Sequence, residues 1–420
     1  MTEMPEEPRN QQYWLDIQAE PHSLKQWSEV DGQWITVATT YVKLSATDIG
    51  KNFELHDGIE LSIASNVEDS ELDSLNGANV IWAKGDDYIV VTGLVSGSRT
   101  AQTTIERRMP DMDYITECGN RLWGCKYGLV NGKVVNEIYC CKLGDFKNWS
   151  CFMGISTDSW RASCGTDGNF TGAITHLGYP LFFKEDHLHR VYPSAEGAHQ
   201  VQDLACRGVQ YGSADSLAIV NEAVYYKSRG GVCRYDGSLP VEISGELGEE
   251  RYTDAVAGGH HNKYYISMAD SKGDYHLFVY DTFKGMWHRE DNLKVNCFCT
   301  VRGLLYAGTD EKLLNLSGGT EDVSWMVQTG PQGLYTADAK YVSRINLRMW
   351  LGAGSVLRVR IRYDFDEDWL DVADLVGDGL SSFSLPIRPM RCDHLYLMLE
   401  GTGPFKLYSL TKTLEQGSDI

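Results

Sequence analysis

The sequence predicts an all-β protein, and three observations carry that expectation. Aromatic residues are dense, with 23 Tyr, 12 Phe and 11 Trp beside 42 Gly and only 11 Pro. Aromatic rings favour pleated, half-buried surfaces and Gly supplies tight turns. No stretch of ten or more residues carries a convincing helical period. Finally, short apolar runs come in pairs, each pair joined by a polar turn.

The spacing of those pairs narrows the fold class. Five pairs lie between Ile115 and Leu316: RLWGCKYG with NEIYCCKLG, YPLFFKED with HLHRVYP, EAVYYKSR with GVCRYDG, KYYISMAD with HLFVYDTF, and GLLYAGTD with KLLNLSGG. The first members centre on Trp123, Phe183, Tyr225, Tyr265 and Tyr306. The last three intervals are 42, 40 and 41 residues, and the first is 60. A further apolar run precedes each pair (YITECG, GAITHLG, SLAIVN, AVAGGH, CFCTVR), and a fourth is expected near Trp149, Trp287 or Trp325. Units of four short strands repeating every 40–50 residues are the signature of β-propeller blades. The 60-residue interval fits one long excursion around NWSCFMGISTDSWRASCGTDGNF.

Each element follows in order. Residues 1–32 read as an N-terminal extension, polar and acidic at its start. Residues 33–110 read as a small β domain, with strand-like runs on both sides of the acidic stretch NVEDSELDSLNGA, and MPDMDY forms the junction. Residues 111–330 hold about five recognisable blades, a set that need not be complete. In VYDTFKGMWHRED, Tyr280 ends the third strand, Asp281 and Gly285 shape the turn, and Trp287 begins the outer strand. Trp123, Trp149, Trp287, Trp325 and Tyr280 are therefore the candidate blade-stacking and interaction residues. The unit AVAGGHHNKYYIS…HLFVYDTFKGMW resembles a kelch repeat; the other four share the strand pattern without the double glycine, so the likeness is one of architecture. Residues 331–420 read as a β-sandwich-like domain beginning near Tyr335, in which Arg344, Arg348, Arg358, Arg360 and Arg362 alternate with apolar residues.

The formal charge of −20 disfavours a nucleic-acid groove, which needs clustered Lys and Arg. No apolar run approaches a membrane span. The 11 Cys have irregular spacing without paired CxxC motifs, and read as buried, reduced thiols.

Candidate chemistry is sparse. His260, His261, Asp270, Asp274 and His276 form the densest titratable cluster, but adjacent strand histidines point apart, and the cluster reads as blade-rim residues. His187 and His189 share a strand face, a better chelate geometry, yet no third ligand is identifiable. DFDEDW (Asp364 to Trp369) reads as a solvated loop. STDSW resembles part of a sialidase Asp-box but lacks its glycine and does not repeat. No nucleophile elbow, zinc-protease or phosphate-loop motif is present. The residues therefore give no catalytic, cofactor or metal set, and the chain reads as non-enzymatic.

Several strings together resemble structural proteins of tailed bacteriophages and prophages: NRLWGCKYG with NEIYCCKLGDFKNW, HLGYPLFFKEDHLHRVY, LFVYDTFKGMWHRED and RPMRCDHLYLMLEGTGPFKLYSLTK. The resemblance covers most of the chain from Gln33 onward. The pairing of a strand with KLGD…W is also similar to the propeller part of tail stabilisation, or nozzle, proteins. It implies a virion component of the tail or head–tail connector, assembled in the host cytoplasm, forming a ring with copies of itself and contacting other tail or connector proteins. Those relatives carry a further region before LKQWSEVDGQW, so the resemblance leaves three expectations open: an array lacking part of its first blades, a shortened form, or an edge paired with another chain. An unclosed propeller exposes a strand edge that has to be covered. The alternative reading is a carbohydrate-binding or glycan-degrading propeller acting in host-surface recognition.

Overall fold

Between Tyr114 and Asn315 a computed structural model of the chain shows five antiparallel sheets in succession, each a simple meander. It describes residues 8, 12–16, 23–29, 32–38, 41–53, 55, 57–64, 70–93, 95, 97–130, 133–149, 151–152, 154–319, 323–334 and 340–416. The first four sheets have four strands. They run Tyr114–Cys118, Arg121–Val130, Lys133–Cys140 and Trp160–Ser163; then Gly172–His176, Tyr179–Phe183, His187–Tyr192 and Gln200–Ala205; then Ala218–Val220, Ala223–Lys227, Val232–Tyr235 and Val241–Glu242; then Thr253–His260, Lys263–Ala269, Tyr275–Asp281 and Met286–Asp291. The fifth has three: Cys297–Val301, Leu304–Gly308 and Leu313–Asn315. These are the blades of a β-propeller, and all five aromatic centres of the repeat fall on second strands.

The strings LFFK, VYYK and KYYI are aromatic on successive residues because each second strand serves two neighbours. Side chains alternate across a strand. Phe182 packs back onto Trp123 and Ile138 of the first blade, while Leu181 and Phe183 pack forward onto Val224, Tyr226 and Tyr235 of the third. Tyr225 then meets Tyr264, Ile266 and Phe278 of the fourth blade, and Tyr265 meets Leu305 of the fifth. The first two strands of a blade join through two-residue turns in left-handed backbone, as at Gly119–Asn120 and Arg302–Gly303. Such turns match the strand twist.

The structure moves several expected elements. Trp149 lies in the excursion between the third and outer strands of the first blade, its indole N–H donating to the Phe146 carbonyl at 2.8 Å; the outer strand instead begins at Trp160. Arg121 anchors the excursion from a buried position, donating to the carbonyls of Cys141, Ser156 and Asp158. Trp325 belongs to no blade. Its strand, Ser324–Gln328, pairs with Leu395–Thr402 in the C-terminal domain, where its ring stacks on Phe405 and its N–H reaches the Gly403 carbonyl. Trp287 is on the fourth blade's outer strand and donates to Ile243 O at 2.7 Å, with Tyr280 beside it. Cys297 and Cys299 are exposed, since no further sheet covers the fifth blade's first strand among the described residues; the other thiols are buried or half-buried.

Ahead of the propeller, Gln33–Ala38 pairs with Ser23–Ser28, which also pairs with Tyr13–Asp16, so this strand lies apart from the sheets that follow it. Those are two three-stranded sheets spanning Tyr41 to Arg107 around Ile59, Leu61, Ile81, Ile89 and Val91. The C-terminal unit begins at Gly318, and its expected start at Tyr335 lies outside the described residues. Two sheets there enclose Val342, Leu347, Met349, Leu357, Val359 and Leu399. Along Lys340–Leu351 and Val356–Tyr363 the apolar residues other than the exposed Val356 are buried or half-buried, and Arg344, Arg348 and Arg358 are exposed.

Candidate functional site

Simple meanders sort the connections onto two rims. Turns between the second and third strands, together with the links from blade to blade, share one rim. Turns between first and second and between third and outer strands share the other. On the first rim, where the second blade meets the third, a cleft of about 640 Å³ is lined by Asp167, Asn169, Thr171, Glu185, Asp186, Tyr211 and Arg229, with Lys184 at its base.

Thr171, only 1% exposed, immediately precedes the second blade's first strand, and its hydroxyl has no hydrogen-bond partner. A buried hydroxyl left unpaired costs roughly 1–3 kcal/mol, so it is a place where an incoming polar group gains. Lys184 is equally buried. Its ammonium donates to Asn136 Oδ1 at 3.0 Å and the Thr166 carbonyl at 2.6 Å, over the rings of Tyr127 and Phe170. Burial lowers its pKa. Glu185 accepts from the Tyr211 backbone N–H at 3.1 Å and lies 3.8 Å from Arg229. The Tyr211 ring is 67% exposed. Asp186 is bonded to His187 Nδ1 at 2.8 Å, a contact that holds its carboxyl below the usual range. The cleft thus combines carboxylate acceptors, a guanidinium, an amide, an exposed aromatic ring and a buried unpaired hydroxyl.

The residues expected to stack or interact, Trp123, Trp149, Trp287, Trp325 and Tyr280, do not line it. His189 is buried with Nδ1 against Asp203 and Nε2 3.0 Å from the Thr166 hydroxyl, so both ring nitrogens are occupied. Asp270 pairs with His276 at 2.9 Å, away from His260 and His261 on the opposite rim, and that contact lowers Asp270 to about 2. Among the described residues no three His, Cys, Asp or Glu side chains converge as a metal cage. Asp158 of STDSW caps its own loop, accepting from Gly154 and Ile155 N–H. The cleft residues were missed because they sit in turns of separate blades. Their signal was the charged residues after successive second strands, KED and KSRG, which the meander gathers on one rim.

No family profile and no curated protein sequence matches the chain. Solved structures similar to it include the exo-β-1,3-galactanase of Phanerochaete chrysosporium with galactose (9% identity, covering 70% of this chain and 95% of that one, TM-score 0.27). Others are the Trypanosoma rangeli sialidase (10%, 90% and 93%, 0.29) and the Pyrococcus horikoshii acylaminoacyl peptidase (11%, 84% and 56%, 0.31). What they share with this chain is the fold. The expectation of a non-enzymatic chain is nevertheless corrected: structures similar to the chain include a galactanase and a sialidase, and the absence of linear motifs excludes no chemistry. That expectation took missing linear motifs for missing chemistry, and carboxylates brought together from separate blades leave no linear motif.

Proposed function

We propose that the propeller recognises carbohydrate in the cleft between its second and third blades. One observation carries this reading: the unpaired Thr171 hydroxyl lies buried in a cleft that also holds the exposed Tyr211 ring and the carboxylates Asp167, Glu185 and Asp186. A sugar offers an apolar ring face to an aromatic side chain and hydroxyls to carboxylates, amides and buried polar atoms. The acidic lining and the net charge of −20 favour a neutral glycan over an anionic one. The resemblance to tailed-phage structural proteins supplies a setting, a virion component that recognises a glycan of the host surface. Asp186, kept ionised by His187, suits an acceptor or a nucleophile better than a general acid.

A glycan array followed by titration calorimetry tests the proposal. Binding of a neutral glycan, weakened about tenfold or more by Tyr211→Ala and by Asp186→Asn, is expected. Equal binding by the variants, or no glycan retained, rejects it. Turnover of chromogenic glycosides, lost in Glu185→Gln or Asp186→Asn, separates a hydrolase from a binder.

A further inference from the structure

The rim opposite the cleft differs in kind. Four of the five blades expose apolar side chains in turns there: Phe146 with Leu143, Phe152 and Ile155 in the first, then Leu177, Leu239 and Phe283, the last 85% exposed. Leu177 does so in left-handed backbone, φ 51°, where a branched residue is disfavoured and Gly or Asn is usual. Charge follows the same division. The turns on this rim (119–120, 141–159, 177–178, 193–199, 221–222, 236–240, 261–262, 282–285 and 302–303) carry four basic and five acidic residues. On the cleft rim, residues 164–171, 184–186, 206–217, 228–231, 243–252, 270–274, 292–296 and 309–312 carry seven basic and eleven acidic.

The apolar rim also holds a hollow. Between the fourth and fifth blades a cleft of about 510 Å³ has Tyr265, Leu304 and Leu316 in its lining, with His260, Lys263 and Asp281 beside them and Phe283 among its lining residues. Knob and hole therefore lie together on one surface. That arrangement is self-complementary, because a two-fold axis beside Phe283 lets each copy's ring enter the other's hollow. A lipid surface would require no hole, and a strongly charged partner would find few charges to pair. The near balance of charge also makes this rim repel a second chain of net −20 less than the cleft rim does.

We infer that this rim is the interface of a back-to-back homodimer, two propellers joined through the turns bearing Phe146, Leu177 and Phe283, with both carbohydrate clefts facing outward. The interface rests on the apolar rim alone and stands whether or not the cleft binds glycan.

Sedimentation velocity of the full chain across micromolar concentrations tests it. The wild type is expected to dimerise, and Phe283→Asp and Phe146→Asp to weaken dimerisation at least about tenfold while circular dichroism and the unfolding midpoint stay unchanged. Lys272→Glu, on the cleft rim, is expected to leave the dimer intact. A wild type that stays monomeric overturns the proposal, as does a dimer that both Phe variants retain. Co-sedimentation of a wild-type monomer with phosphatidylcholine vesicles, abolished by Phe283→Asp, assigns the rim to a lipid surface and overturns it as well.

Discussion

The propeller and the C-terminal sandwich hide their sheets by opposite means. In the sandwich each strand has one dry face, so its core is mainly aliphatic: Val342, Ile345, Leu347, Leu357, Val359 and Leu399. In the propeller a second strand is buried on both faces, and large rings fill the wedge between neighbours. The wedges meet at the rims, where loops end and backbone groups need partners. Buried basic side chains supply them: Arg121 for three carbonyls of the excursion, Lys184 between the first and second blades, and Lys227 for Gln210 Oε1. Stacked sheets thus create several polar seams in which a site can form, whereas the sandwich core is aliphatic and carries its buried cation, Lys340, at one end, where it donates to the Gly333 carbonyl at 2.7 Å. The candidate cleft sits at such a seam, directly above Lys184.

The largest effects should separate the two regions. Trp123→Ala removes a fully buried ring from the first seam and should cost about 3–5 kcal/mol, and Leu347→Ala should cost about 2–5 kcal/mol in the sandwich. Because the chain divides at residues 317 and 318 into two compact units, scanning calorimetry should show two transitions. Each variant should lower one of them. A single transition lowered by both would mean that the units unfold together, and the contrast drawn above would lose its thermodynamic content.

Lys184→Met tests whether the cations are stitches. The thioether fills similar space but leaves Asn136 Oδ1 without its donor, while the Thr166 carbonyl keeps the Asn136 amide, so a loss of about 1–3 kcal/mol confined to the propeller transition is expected. A neutral or stabilising result would instead place Lys184 with buried charges that a hydrophobic residue can replace.

How much of this division could be read from the chain depends on the range of the contacts. The blade period was legible because LFF, VYY and KYYI record a two-sided burial that local sequence must satisfy. The sandwich's alternation was legible for the same reason, as in SVLRVRIRY. Trp325 was not, since SWMVQ reads like any outer strand and its fate is set by Thr402, Gly403 and Phe405 nearly eighty residues on. Trp149 was misplaced because a Trp near the expected spacing cannot reveal that Arg121 holds its segment as a loop. The cleft escaped for a third reason. Asp167, Asp186 and Tyr211 belong to different connections, and only the meander's sorting of turns brings them to one rim.

A pH titration sharpens the contrast further. His199 lies between the rings of Trp123 and Trp160, and burial, aided by the Arg121 charge, lowers its pKa from 6.5 to about 4. His189, buried against Asp203, is lowered too, with desolvation the larger influence. In the unfolded chain these imidazoles accept a proton near pH 6.5, whereas the folded propeller resists it. Their contribution is therefore fully present above about pH 6.5, falls as the pH drops toward 4, and levels off below. The propeller transition should fall over that window, and His199→Phe should flatten its slope. An unchanged slope in the variant would show that other groups govern the acid response.

The smallest effect is expected where charges are most conspicuous. On the sandwich, Arg358 lies 3.1 Å from Asp374, and Arg360 reaches Asp371 at 2.9 Å and Glu400 at 3.3 Å. Water reaches both partners of the first pair, so its attraction is screened and offset by the cost of ordering two long side chains. Arg358→Ala should shift the sandwich transition by less than about 1 kcal/mol, and the shift should shrink in high salt. Lys184 and Arg358 are both cations, yet only the first is itself buried, 1% exposed, and holds half-buried backbone and side-chain groups. Should Arg358→Ala cost as much as Lys184→Met, burial would not be what sets the worth of a charge in this chain.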